Sequence, residues 1–221
     1  MGFVNDSLKL LVDRKGFFVN LITEHMVLSG IPIVIITIIG IPVGIYMTRN
    51  GKFEKIILSL INFIYTIPSI AMFGILIPIL GIGKKNAILA LTIYGLLPVI
   101  RNTFVGISEV DKEIKDAAIA MGSTDRQLLV NIEFPMALPV IIAGFRTMVV
   151  MTIALAGIAS FIGAGGLGVA IWRGITTYFM EMTFVGSILV ASIAVIADYL
   201  IGLIEKRVAK NIFGNKGSEE K

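Results

Sequence analysis

A 221-residue chain with 56% hydrophobic residues, only 15% charged residues and a mean hydropathy of +0.92 does not have the composition of a soluble domain, where about 25% charge is usual. Zero cysteines exclude disulfides and cysteine-ligated metals, and a single histidine makes a metal site unexpected. The net charge of +4 could suit nucleic acid, but its distribution fits membrane topology better, so no nucleic-acid partner is expected.

The first 25 residues carry Asp6, Lys9, Asp13, Arg14, Lys15 and Glu24. They lack the uninterrupted apolar core of a cleavable signal peptide. Residues 1–25 therefore read as an amphipathic segment leading into the first span. Met26–Met47, Ile56–Gly83 and Thr147–Trp172 contain no Asp, Glu, Lys or Arg. Each exceeds the roughly 18 residues that mark a span candidate. Asn86–Ser108 and Met182–Ile204 carry one charge each, Arg101 and Asp198. The expected fold is an all-α membrane protein with five spans, at about 26–47, 56–80, 86–107, 138–161 and 182–204. These form one domain over 26–205, followed by a basic tail over 206–221. The end of that tail, Asn215–Lys221, is polar enough to be expected disordered.

The first span holds Pro32 and Pro42, the second Pro68 and Pro78, and the third Pro98. A proline interrupts the backbone ladder and kinks a membrane helix, which suits a protein that opens and closes. Pro68 is the candidate kink of the second span.

Between spans three and four lies a polar loop, residues 109–135, containing Asp116-Ala117-Ala118-x3-Gly122-x9-Ile132-x-Phe134-Pro135. Ser108 can cap a helix over Asp111–Met121, with Glu109, Asp111 and Glu113 at its positive end. Gly122 suits a left-handed helix end. Thr124 and Gln127 can form a capping box for a second short helix, which Pro135 would stop. The result is a helix–turn–helix across the ends of two spans. Ala117, Ala118 and Gly122 have almost no side chain, so another protein's backbone can approach closely there.

The Lys/Arg distribution orients the chain. With the N-terminus outside, the inner segments hold Arg49, Lys52, Lys55, Lys112, Lys115, Arg126, Lys206, Arg207, Lys210, Lys216 and Lys221. The outer segments hold Lys9, Arg14, Lys15, Lys84, Lys85 and Arg173. Eleven against six favours an outer N-terminus and a cytoplasmic C-terminus. The 109–135 loop then faces the cytoplasm.

Gly163, Gly165 and Gly168 match the dinucleotide fingerprint G-x-G-x-x-G, but no preceding strand or βαβ unit surrounds them. They read instead as a loop that turns the chain back on the outer side, or as a close helix contact. Trp172 and Tyr178 suit an interfacial aromatic belt. His25 is expected to make a hydrogen bond at the outer interface, and the ten Met residues read as core or lipid-facing filler.

Charges inside spans are costly and often functional. Arg101, Arg146 and Asp198 each lie eight residues from the inner end of a span, about 12 Å deep at 1.5 Å per residue. They are candidates for a gate or an intramembrane pair, with Arg146 the first partner for Asp198. A helix-locking pair, or arginines snorkelling to the inner interface, is the competing structural account.

The loop spacing resembles the Glu-Ala-Ala, x3, Gly, x9, Ile-x-Leu-Pro segment that bacterial ABC-importer permeases present to their ATPase, with Asp116 in place of Glu and Phe134 in place of Leu. Thr66–Ala71, Tyr94–Thr103, Gly144–Thr147 and Phe161–Gly168 are similar to the osmoprotectant branch of that family, which handles glycine betaine, carnitine and choline. The resemblance implies a permease subunit in the bacterial or archaeal inner membrane, with Asp116, Ala117, Ala118, Gly122, Ile132 and Pro135 coupling it to a cytoplasmic ATPase. It also implies two ATPase copies, a second permease subunit and an outer solute-binding protein. Methionine-type permeases have a similar five-span arrangement and give the alternative substrate. The chain lacks G-x-x-x-x-G-K-[ST] and any Ser/His/Asp set or paired carboxylates. No cofactor or enzymatic chemistry is therefore expected of this subunit.

Overall fold

A computed structural model describes residues 2–214, almost entirely as helix. The expected disorder of Asn215–Lys221 falls outside the described residues. The elements are α1 (Gly2–Asp13), α2 (Lys15–Arg49), α3 (Gly51–Thr66), α4 (Ser69–Leu80), α5 (Lys84–Ser108), α6 (Lys112–Ala120), α7 (Asp125–Leu128), α8 (Phe134–Ile158), α9 (Gly168–Thr176) and α10 (Met180–Phe213). A π-helical turn, Leu129–Glu133, joins α7 to α8, and a 3-10 turn, Ala159–Ile162, follows α8. Four helical stretches are long and apolar enough to cross a membrane: α2, α5, the continuous Asp125–Ile162 run, and α10. The pair α3 and α4 passes the same test only as a unit, bent by 98°.

The bend falls at Pro68. Ile67 has extended backbone and Pro68 begins the next helix, because its ring clashes with a continuing ladder and it has no N–H to give. The carbonyl freed at Ile67 accepts the hydroxyl of Tyr94 on α5. Pro32, Pro42 and Pro98 are carried inside their helices without a break.

The centre of the bundle is the sequence α2–α5–α8–α10, each helix packed on the next. Glycines allow the close crossings. A Cβ on Gly44 of α2 would lie 2.9 Å from the Ile100 carbonyl oxygen of α5, and one on Gly144 of α8 would lie 2.4 Å from Asn102 Cβ. At one end, Leu28, Phe73, Leu91, Tyr94 and Ala156 form a core shared by α2, α4, α5 and α8. Further along, Ile36, Val99, Met148 and Ile153 continue it. The N-terminal α1 packs against α10, where Phe3 meets Phe184 edge to face. By contrast α3 buries only Ile61.

His25 departs from the interfacial expectation. It is fully buried, and its Nε2 lies 3.1 Å from the Ile153 carbonyl oxygen, a link between α2 and α8. The reason is tertiary: the glycine loop folds back over it, with Gly166 close enough that a Cβ would sit 3.1 Å from His25 Nδ1. Gly163, Gly165 and Gly166 all adopt left-handed backbone, and the Gly166 amide donates to Glu24 at 3.1 Å.

Candidate coupling surface and intramembrane charges

The segment after α5 is shaped by local capping. Ser108 is the last residue of α5, so the cap expected of it is supplied by Asp111, whose carboxylate accepts the Glu113 amide at 2.8 Å. Helix α6 ends in a Schellman turn: Ser123 N–H donates to Ala118 C=O at 3.1 Å, and Gly122 N–H donates to Ile119 C=O at 2.9 Å. Gly122 has φ +88°, a conformation that costs other residues a steric penalty. Thr124 and Gln127 form a complete capping box at α7.

Two expectations for this loop change. Pro135 does not stop the second helix. It sits in the first turn of α8, and the chain passes helically from Asp125 to Ile162. The π register just before it shifts the hydrogen-bond ladder, with Phe134 N–H reaching Leu129 C=O, so a residue without a donor is tolerated at the junction. Ala118 is only 1% exposed and faces its own chain, so its small size serves internal packing rather than the close approach of a partner.

The outward face is different from the one small residues suggested. Asp116, Ala117, Ala120 and Gly122 are exposed. Beside them stand the apolar side chains of Ile119 and Met121, the latter 80% exposed. Val130 of the π-turn adds to the exposed apolar surface, while Ile132 and Pro135 are half-buried. Met121 was not distinguished from the other methionines in the sequence. Its signal was its place directly before the glycine of a polar turn. Exposed apolar groups rimmed by charge mark interaction surfaces.

Beneath this face lies Glu133, which sequence reasoning did not single out. Its carboxylate is buried and paired with the Arg49 guanidinium at the end of α2. Lys115 of α6 lies 3.8 Å from it.

On an open side of the bundle, Arg146 of α8 and Asp198 of α10 are brought together. Nε and Nη2 of the arginine donate to the two carboxylate oxygens, each at 2.6 Å. Nη1 of the same guanidinium donates to Glu205, one turn pair further along α10, at 3.2 Å. This bidentate geometry is available only to arginine. Gly202 of α10 lies under the guanidinium, where a Cβ would come within 3.2 Å. Arg101 is exposed and joins no ion pair among the described residues. The three charges thus separate into a pair with an added glutamate, and a lone arginine. Arg146, Asp198 and Glu205 line an open groove of about 590 Å³ together with Ala143, Thr147, Val150, Met151 and Ala154. Charged walls on apolar helices are tolerated where they meet water or another polar surface. No group of His, Asp or Glu able to hold a metal occurs among the described residues.

Comparison with known proteins agrees with this architecture. Residues 40–210 match the family described as the binding-protein-dependent transport system inner membrane component. The chain is 36% identical over 214 residues to the glycine betaine/carnitine/choline transport system permease protein OpuCB of Bacillus subtilis, covering 96% of this chain and 99% of that protein. It is 38% identical to the carnitine transport permease protein OpuCB of Listeria monocytogenes, covering 84% and 85% of the two chains. It is also 38% identical to the ergothioneine transport permease/ergothioneine binding protein EgtU of Helicobacter pylori, covering 84% of this chain but only 34% of that longer protein. Among solved structures, the fold matches an inward-facing MetNI methionine ABC transporter chain with a TM-score of 0.76 at 23% identity, over 84% of this chain and 93% of that one. An amino acid ABC transporter with histidines matches with a TM-score of 0.76 at 19% identity, over 89% and 96%. Arg146, Asp198, Glu205 and the loop with its exposed apolar turn all lie within the matched region, and the chain is a member of the binding-protein-dependent transport system inner membrane component family.

Proposed function

We propose that this chain is the transmembrane subunit of an ATP-driven importer for osmoprotectants such as glycine betaine, carnitine or choline. The observation that carries the mechanism is the exposed apolar turn at Ile119, Met121 and Gly122 between two membrane helices. A water-facing apolar knob on a short, doubly capped helix needs a partner, and a cytoplasmic ATPase in two copies is the one the family requires. Asp116, Ala117 and Gly122 border the contact. Ala118, Ile132 and Pro135 hold its shape from below. The 109–135 loop then lies in the cytoplasm, the N-terminus outside and the C-terminus inside, in keeping with the Lys/Arg distribution. The bent pair α3–α4 counts as one crossing and completes five spans in a domain over 26–205, with 1–25 preceding it and the basic tail 206–221 following.

Arg146, Asp198 and Glu205 supply the polar wall of a path closed by a second permease subunit. Their half-buried charges in the open groove would otherwise meet lipid. Solute arrives from an outer binding protein. Glycine betaine, carnitine, choline and ergothioneine all carry a trimethylammonium group, and relatives of this chain are named for each of them. That shared chemistry favours a quaternary ammonium solute over methionine, for which the likeness is one of fold.

The test is reconstitution with the ATPase and binding protein in proteoliposomes, followed by uptake of labelled glycine betaine, carnitine, choline, ergothioneine and methionine. ATP-dependent uptake of a quaternary ammonium solute is expected. Uptake of methionine alone would overturn the substrate reading. Failure of the permease to retain any ATPase would overturn the importer reading.

A further inference from the structure

Glu133 is the one buried acidic residue among the described residues, with its side chain 3% exposed. A carboxylate is kept in such a place only when cations or donors compensate it. Two cations do so, and they come from different elements. Both terminal nitrogens of Arg49, the last residue of α2, reach its two oxygens. Lys115, in the middle of α6, brings Nζ to 3.8 Å. The same ammonium donates to the carbonyl oxygens of Ile107 and Ser108 at 3.2 and 3.3 Å, which are the free carbonyls ending α5. One carboxylate thus ties the end of α2 and the middle of α6 to the head of α8, and the Lys115 ammonium extends the link to the end of α5.

The π-turn that holds Glu133 belongs to the same device. A π register inserts one extra residue, which turns the following face by about 100° relative to an unbroken α-helix. With the turn as it stands, Val130 points outward and Glu133 inward. Glu133 lies between Ile132 and Phe134 but has no exposure with which to touch a docked protein. Its reach is inward only.

We propose that Glu133 is a positioning residue for energy coupling: with Arg49 and Lys115 it forms an ionic strut, anchored on a buried carboxylate, that carries displacement of α6 into α2, α5 and α8. The proposal deepens the docking reading given above and rests on it. When a partner moves the α6 turn, Lys115 moves with it. The displacement passes to the end of α5 through two carbonyls, and to α2 and α8 through Glu133. Three membrane helices are thereby moved by one nine-residue helix. Salt-bridge and hydrogen-bond networks that join rigid helices are among the physical carriers of coupling between separated sites.

The experiment uses the complete transporter in proteoliposomes and reads two quantities: ATPase retained on purification, and solute imported per ATP hydrolysed. Glu133→Gln is expected to retain the ATPase at the wild-type ratio while solute per ATP falls about tenfold, within the range of mutational effects on coupling. Arg49→Gln should lose coupling similarly, and Arg49→Lys should recover most of it. The double variant Arg49→Gln/Glu133→Gln should be no worse than the poorer single variant, since contacting residues do not contribute additively. A wild-type ratio in Glu133→Gln, additive losses in the double variant, or loss of the ATPase from Glu133→Gln complexes would each overturn the strut. If Glu133→Gln does not reach the membrane, the Arg49 variants decide the matter, because that side chain is 41% exposed. Wild-type coupling in Arg49→Gln overturns the proposal, and a loss restored by Arg49→Lys supports it. Met121→Asp separates the two levels. If it retains ATPase and uptake, the docking reading itself fails. If it loses them while Glu133→Gln stays coupled, only the strut fails.

Discussion

Replacing Gly144 by alanine tests how closely α8 must approach α5. A Cβ at Gly144 would lie 2.4 Å from Asn102 Cβ and 2.9 Å from both Asn102 Cγ and the Pro98 carbonyl oxygen. Carbon atoms in contact prefer about 3.5–4.0 Å, so the helices must separate by roughly 1 Å. Asn102 cannot swing aside cheaply, because its amide donates to Pro98 C=O at 2.8 Å. Overpacking of this kind costs about 1–3 kcal/mol. Against it stands the gain of about 1 kcal/mol for alanine over glycine inside a helix. Gly157, near the end of the same helix, has nothing within 4 Å of its ideal Cβ, so Gly157→Ala carries the propensity gain without the clash. The difference between the two variants isolates the clash. For a chain of this size each kcal/mol moves the unfolding midpoint by roughly 2–4 °C. Gly144→Ala should therefore melt about 2–12 °C below Gly157→Ala. Thermal unfolding of the detergent-purified chains, followed by the fluorescence of the single tryptophan Trp172, reads this directly. Equal midpoints, or a higher midpoint for Gly144→Ala, would refute the close-packing argument and with it the register that aims Arg146 at α10.

Met121→Asp should weaken ATPase retention by about thirtyfold, the loss expected from removing one interface anchor worth about 2 kcal/mol, while membrane yield stays at the wild-type level. Gly122→Leu should do more harm than Gly122→Ala to solute imported per ATP, since both bear the left-handed strain at φ +88° but only leucine adds bulk to the exposed face. The chain has no cysteine, so single introduced thiols report topology cleanly. A cysteine at Ser123 should react only from the cytoplasmic side and one at exposed Lys85 only from outside, and the reverse pattern would overturn the orientation. Asn86, next along, is fully buried and unsuited to that label. Asp198→Asn should lower folded yield, with part of the loss recovered when Arg146→Gln is added and none recovered with Arg101→Gln. Strict additivity with Arg146 would mean the bidentate contact contributes nothing to assembly.

What could be read from the sequence is what local chemistry decides. The left-handed end at Gly122 and the capping box at Thr124 and Gln127 each involve residues within three or four positions, and the structure has both. The runs Met26–Met47 and Asn86–Ser108 each fall within one helix, whereas Ile56–Gly83 is broken at Pro68 and Thr147–Trp172 crosses the glycine loop before α9. Where the outcome depends on which helix packs on which, the residues alone were misleading. Ala118 and Gly122 are alike in size, but one turns inward and the other outward. His25 is buried because a loop some 140 positions later folds over it. Glu133 looked like one more charge in a polar loop, and only the placement of Arg49, 84 positions earlier, makes it an anchor. Pro135 failed as a stop signal because a π-turn absorbed it, and such turns leave no signature in composition.

The bend at Pro68 has a consequence for the bilayer itself. Helix α3 has 16 residues and α4 has 12, about 24 and 18 Å of rise, so neither limb alone reaches across a hydrocarbon layer of about 30 Å. At 98° their lengths do not add along one direction. In the single crossing proposed above for this pair, one limb standing upright leaves the other nearly flat, like a ledge cut into the leaflet. Lipid beside such a ledge would meet a shorter wall than lipid beside α2 or α10, and the layer would thin to match it. Straightening the ledge would lengthen the wall, but it would also pull Ile67 from the hydroxyl of Tyr94. Under the proposed topology, membrane thickness and the shape of this crossing would therefore be mechanically opposed, with the Tyr94 hydrogen bond to Ile67 between them.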